Sequence, residues 1–180
     1  MREKRDTTPA VPLPADADLT PEIRSTLKKL PPLNVFRMAA NAPASFQPLI
    51  DLALSVLAFS EFDKKKREIA VLRVAHLTNS HYEWTQHVRV AKSLGMDDEA
   101  ISKIRCDGPV KALDEEGNLL CRVADEMTRD VRLSDDALEQ ILVRYGTRQA
   151  TELIVCCAYF NMLSRFLEST RVELEPEPPL

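Results

Sequence analysis

The sequence predicts an all-α protein, and three observations carry that prediction. Only four glycines occur in 180 residues. Few segments combine β-branched alternation with turn signals, so strands and hairpins have little to start from. Segment after segment instead sets apolar residues at helical spacing between a capping side chain and a stop signal. The count comes to about seven to eight helices in one bundle-like domain over residues 20–170. It is preceded by an extended arm over 1–19 and followed by an acidic tail over 171–180.

The elements follow in order. Residues 1–19 are rich in Pro, Ala and Asp and read as an arm outside the core. Thr20-Pro21 is a helix start, with Thr as N-cap and Pro at the first helical position. That helix stops before Pro31-Pro32. Asn34 caps a short helix through Val35, Phe36, Met38 and Ala39. After a break at Pro43, a helix apolar on most sides carries Phe46, Leu49, Ile50, Ala53, Val56 and Leu57 to about Phe59, with Pro48 in its first turns. Asp63 caps a helix over 64–78. Asn79 or Ser80 caps the next over 81–94, which ends at Gly95. Asp97 caps a short helix to Arg105, and the loop Cys106-Asp107-Gly108-Pro109 follows. A helix spans about 114–129, its start weakened by Gly117. Ser134 caps a helix that ends at Tyr145-Gly146, and Thr147 opens a last helix to about Ser169. The tail VELEPEPPL is acidic, Pro-rich and expected to be mobile.

Composition excludes several function classes. The formal net charge is −4, and phosphate recognition wants a basic face, so nucleic acid is not an expected partner. The run Lys64-Lys65-Lys66-Arg67 reads as a solvated first helical turn. No apolar run approaches the ~20 residues of a membrane span, and the N-terminus has no apolar stretch of a secretory signal. No membrane partner is expected, and a cytoplasmic location follows by default. The four cysteines, Cys106, Cys121, Cys156 and Cys157, form no C-x-x-C pair and read as free thiols.

The chemistry concentrates in residues 67–95. On the helix 81–94, Trp84, Val88, Ala91 and Leu94 gather on one side and Thr85, Arg89, Lys92 and Ser93 on the other. His87 falls in the middle of the apolar side, with Glu83 one turn earlier and Ser80 a turn before that. A polar line on an inward face needs partners and suggests a pocket. Ser80-x-x-Glu83 is equally a capping box. Glu68, on the preceding helix, lies at the boundary of its apolar face, either exposed beside Arg67 or turned inward. His76 reads as a boundary residue, and His81 and Tyr82 as exposed or at an interface. Glu83 and His87 could share one ion, but no third ligand stands at a recognisable spacing, so neither metal nor cofactor is expected. On the last helix Asn161, Ser164 and Arg165 share a face. Ser164 reads as structural, whereas Asn161 and Arg165 are candidates to line a pocket, where the guanidinium could hold a carboxylate.

The stretch REIAVLRVAHLTNSHYEWTQHV resembles the carboxymuconolactone decarboxylase-like and alkylhydroperoxidase D-like superfamily. The flanking LPPLNVFRMAANAPASFQPL and AKSLGMDDEAISKIR and the late AYFNMLSRFLE agree with it. The resemblance covers about residues 20–172. It implies the alkylhydroperoxidase D-like helical bundle assembled as a homo-oligomer, a trimer or hexamer with a dimer also open. One small-molecule pocket per subunit would lie beside the motif helix near a subunit contact. The peroxidase branch uses a glutamate, then C-x-x-C, then a histidine four residues later. Glu68 and His87 match the glutamate and the histidine, while Ser80 and Glu83 stand at the cysteine positions. Serine and glutamate cannot form the redox disulfide, so thiol peroxidase chemistry through this motif is not expected. The decarboxylase branch works by acid–base chemistry on an enol-lactone acid. That likeness implies His87 as general acid/base, Glu68 or Glu83 as its partner, and Ser80, Trp84, Asn161 and Arg165 as substrate-binding residues. Two alternatives stay open: a redox protein using the off-motif cysteines, and a non-catalytic oligomer that kept the pocket.

Overall fold

The structure, a computed structural model, describes residues 11–176; the first ten residues of the arm and the last four of the tail lie outside the described residues. The fold is all-α. Among the described residues eight α-helices occur and no strand: α1 Pro21–Leu27, α2 Asn34–Ala39, α3 Pro43–Leu54, α4 Lys64–Leu77, α5 His81–Ser93, α6 Asp98–Ile104, α7 Glu115–Arg129 and α8 Asp135–Thr170. Chain contacts group these into two compact units, one of Met1–Leu54 with Phe166–Leu180 and one of Ser55–Arg165, where the sequence reads as one helical domain.

In the first unit, Leu19, Ile23, Ala39, Ala40, Phe46 and Ile50 form a buried cluster. One expectation fails here. The arm is docked over its described part: Leu19 is a core residue, Arg37 Nε donates to Pro14 O at 2.9 Å and Asn41 Nδ2 to Pro12 O at 2.9 Å. The tail is held as far as it is described. The Asn34 backbone N–H donates to Glu175 Oε1 at 2.5 Å and Asn34 Nδ2 to Glu173 O at 3.0 Å. Asn34 is therefore the first residue of α2 and Leu33 its N-cap; a carboxylate 141 residues away takes the free N–H that a local cap would have taken. α3 begins at Pro43 itself, with Pro48 inside it. A proline in the first turn costs no hydrogen bond, which makes the expected break a start.

In the second unit α4 packs against α5, α6 and α7. Eight of its residues are buried, among them Arg67, Glu68 and Arg73. Arg67 is thus not part of a solvated first turn: neighbours cover the helix on several sides, and its polar residues are enclosed with the apolar ones. Three caps read from the sequence in this unit are present: Asp63 accepts from the N–H of Lys66, Asp97 from Ala100 and Ser134 from Ala137; Asp114, which the sequence places inside its helix, is the N-cap of α7 and accepts from Gly117. Gly117 has a reason beyond propensity. A Cβ there would stand 2.9 Å from both Asp114 Oδ1 and Leu113 Cβ, so the close approach of the cap needs glycine. Gly146, at φ 70° and ψ 170°, breaks α8 where the sequence places the break, in a region of backbone space essentially reserved for glycine.

The last helix bears on the expectation that no apolar run approaches the length of a membrane span. By length and composition α8 is apolar enough to cross one. In this fold its Ala150, Leu153, Cys156, Cys157 and Phe160 are buried in the protein, the signature of a core helix.

Candidate functional site

The polar residues of α4 and α5 meet on the inner side of the second unit. The turn Ser55–Phe59 is π-helical, and Arg67 Nη1 donates to the carbonyls of Val56 at 3.2 Å and Leu57 at 3.0 Å. The loop into α4 is pinned by Glu152, which accepts from Ser60 Oγ and from the Phe62 N–H, both at 2.9 Å. Arg67 so held sets its Nε 3.5 Å from Glu68 Oε1, and the other oxygen, Oε2, lies 2.7 Å from His87 Nδ1. Glu68 is fully buried, so of the two orientations read from the sequence it takes the inward one. A carboxylate only accepts, which places the proton on Nδ1 and leaves Nε2 with a lone pair in the neutral ring. No hydrogen bond from protein reaches Nε2 among the described residues. The edge of Phe160, 4.8 Å between centroids and nearly perpendicular, holds the imidazole plane.

Glu83 belongs to a second chain of contacts. Ser164 Oγ makes a short hydrogen bond to its Oε2, and Thr78 Oγ1 lies 2.9 Å from Ser164 Oγ. Ser164 is completely buried, a structural part as expected, but its partner is the carboxylate next to the histidine line. The apolar run around Ser164 gave no sign of this, since the pairing spans 81 residues.

Ser80 ends the capping-box reading. It is the N-cap of α5, yet its side chain makes no cap hydrogen bond. Its Oγ is buried with no partner among the described residues. Asn79, at φ 55°, turns the chain out of α4, and Ser80 follows at φ −76° and ψ 97° with its hydroxyl turned away from the N–H of residue 83. Ser80→Ala is accordingly expected to change unfolding free energy by less than about 0.5 kcal/mol, against the ~1 kcal/mol of a lost cap. Urea denaturation distinguishes the two.

The other predicted residues go elsewhere. Trp84 packs on the cluster of Leu72, Ala91 and Ile104, edge-on to His76 at 6.3 Å and under Arg105 at 5.2 Å. Asn161 Nδ2 donates to Thr128 Oγ1 at 2.9 Å, and exposed Arg165 bonds back to Asn161. Within the chain these three do not join His87 and Glu68. Tyr82 is buried, not exposed, and His76 bonds Cys106 O at 2.9 Å through Nε2, with burial pulling its pKa down. Among the described residues no group of three or more His, Cys, Asp or Glu could hold a metal ion.

The cysteines are placed as core residues. Burial raises the pKa of Cys121 and Cys157 to about 12. Burial raises Cys156 well above its ordinary value too, helped by Cys157 and by the carboxylates of Glu68 and Glu83. Cys106 alone is partly exposed, its thiol donating to Gly108 O at 3.2 Å.

Residues 43–105 match the family model described as the carboxymuconolactone decarboxylase family. Among solved structures, the chain is similar to an uncharacterized peroxidase-related protein from Silicibacter sp. TM1040, at 20% identity and a TM-score of 0.77, covering 98% of this chain and 96% of that one. It is also similar to the AhpD-core, peroxidase-related protein from Ralstonia eutropha JMP134, at 14% identity and a TM-score of 0.80, covering 93% of each. A third, a protein of unknown function from Agrobacterium tumefaciens, has 17% identity and a TM-score of 0.64 over 75% of this chain and 93% of that one. No curated protein matches the sequence. At such identities the structural likenesses speak for the fold.

Proposed function

We propose that the chain, whose residues 43–105 match the carboxymuconolactone decarboxylase family model, is a non-redox acid–base enzyme of that family acting on a small organic acid or lactone. The observation that carries this is the His87 Nδ1 to Glu68 Oε2 contact of 2.7 Å, with Glu68 buried against Arg67. His87 Nε2 takes a proton from an enolisable carbon or returns one to the product. Glu68 fixes the tautomer and offsets the charge that forms on the ring. Ser80, whose buried hydroxyl is without a partner, is the protein group offered to a substrate oxygen. Decarboxylation, isomerisation and lactone opening all need such a proton carrier beside an oxygen-binding group.

The arrangement of thiols favours this over peroxide reduction. Three of the four are buried, with their thiolates disfavoured. As a family member the protein is expected to act as a homo-oligomer, with the pocket completed near a subunit contact.

The test is turnover on a panel of enol-lactone acids and β-keto acids, followed by loss of substrate absorbance and release of carbon dioxide. His87→Ala with unchanged helical circular dichroism is expected to lose about 10²- to 10⁴-fold in kcat/KM. Alkylation of the accessible thiol is expected to leave turnover intact. Full activity in His87→Ala would overturn the reading. Saturable binding without turnover across the panel would favour a binding protein instead.

A further inference from the structure

The first unit holds a cavity of about 360 Å3 that the acid–base reading does not use. Its walls are of two kinds. Leu19, Leu27, Leu33, Pro31 and Pro32 are the apolar part of the lining, and Arg24 of α1, Lys28 at its C-terminal cap and Arg37 of α2 are the cationic part. Arg24 and Lys28 are one helical turn apart and so share a face. One carboxylate of the cavity wall, Asp16, faces the three cations: Arg37 Nη2 meets its Oδ1 at 2.5 Å, and Arg24 Nη1 donates to its backbone carbonyl at 2.8 Å. All three cations also act on Asp16 through space, Arg37 most strongly, and hold its carboxyl below the usual range. Glu175, which is not part of the lining, accepts from the N–H of Asn34, which is. The lining therefore carries two positive charges more than it carries carboxylates, and the Lys28 ammonium has neither a hydrogen bond nor an ion pair among the described residues.

We propose that this cavity is a binding site for a small amphipathic carboxylate, its head between Lys28 and Arg24 and its apolar body against Leu27, Leu33 and Pro32. Asp16 marks the kind of group the cations accept, and the unmatched charge gives room for a second one. Guanidinium groups favour a carboxylate over a neutral polar head because they can fork onto it. Walls of leucine and proline favour a ligand with an alkyl or aromatic body over a bare inorganic anion. The volume is at the lower end of the roughly 300–1,000 Å3 of small-molecule sites, which suits a body of a few carbons. The site lies wholly within the first unit and stands or falls independently of His87.

The experiment is a titration of the isotope-labelled full chain with hexanoate, followed by amide chemical shifts, with hexanol and inorganic phosphate as the other probes. Hexanoate is expected to saturate, with shifts gathered at Arg24, Lys28, Leu33 and Arg37, and to weaken as salt rises. Hexanol and phosphate are each expected to bind at least about tenfold more weakly. Lys28→Ala, a change at an exposed side chain, is expected to weaken hexanoate about three- to fivefold, the worth of one partly exposed ion pair. Asp16→Asn, which removes the competing carboxylate, is expected to strengthen it. Hexanol or phosphate equal to hexanoate, no saturation, or an affinity unchanged by Lys28→Ala would each overturn the proposal.

Discussion

Glu68→Gln is expected to lower kcat about 10²- to 10⁴-fold while KM stays within a few-fold. The amide keeps the size of the carboxylate and can still accept from Nδ1, so the imidazole keeps its place against Phe160. What it loses is the negative charge. That charge sits on the Nδ1 side of the ring, away from the substrate at Nε2, and matters most to the imidazolium that forms in the transition state, so the loss falls on kcat. The same change leaves Arg67, 4% exposed, with its two carbonyl partners but no countercharge. Removing one partner of a buried pair costs about 3–5 kcal/mol, so the denaturation midpoint should drop as well. The two readouts separate the roles. A fall in stability with full turnover at saturating substrate would mean that Glu68 exists to neutralise Arg67 and has no part in the chemistry.

The helices were legible in the sequence because their signals are local. Asp63, Asp97 and Ser134 sit one residue before the helices they cap, and each caps its helix in the structure. The line of Ser80, Glu83 and His87 was legible for the same reason, since helical spacing alone puts them on one inward face. Partners across helices were not. Periodicity could not choose between Glu68 and Glu83 for His87, because the choice depends on how α4 crosses α5. Ser164 lies among apolar residues like any tolerated serine, and only its packing against Glu83 gives it a role. The capping box failed on the direction of one side chain. The motif letters were right, but the Ser80 hydroxyl is turned inward and makes no cap bond, which the spacing of the letters does not encode. Arg67 was misread because a basic run at a helix start ordinarily faces water, and nothing in four consecutive charged letters tells which one turns in.

Arg73 was missed altogether, and replacing it is expected to cost as much stability as removing the Glu68 charge. It is completely buried in the middle of α4. Nε and Nη2 grip Asp125 Oδ1 of α7 at 3.0 and 2.8 Å. Nη1 reaches the carbonyls of Ile104 at 2.9 Å and Cys106 at 2.7 Å, and Nη2 that of Gly108 at 2.7 Å. One planar group thereby closes the loop after α6, ties it to α7 and orders the carbonyl that His76 also uses. Arg73→Met fills most of the space but leaves three carbonyls and a carboxylate without their donor. The expected loss is about 3–5 kcal/mol, or roughly 10 °C in Tm for a chain of this length. Arg73→Lys keeps the charge and loses the fork, so it should recover less than half of that. In Arg73→Met/Asp125→Leu the stranded carboxylate is gone but the carbonyls are not, so only part of the stability should return. Hydrogen exchange then localises the damage: amides of residues 104–110 should open first, while those of α5 beside His87 keep their protection. A melting temperature unchanged in Arg73→Met would mean that the loop is held by its own packing and that the guanidinium is a passenger.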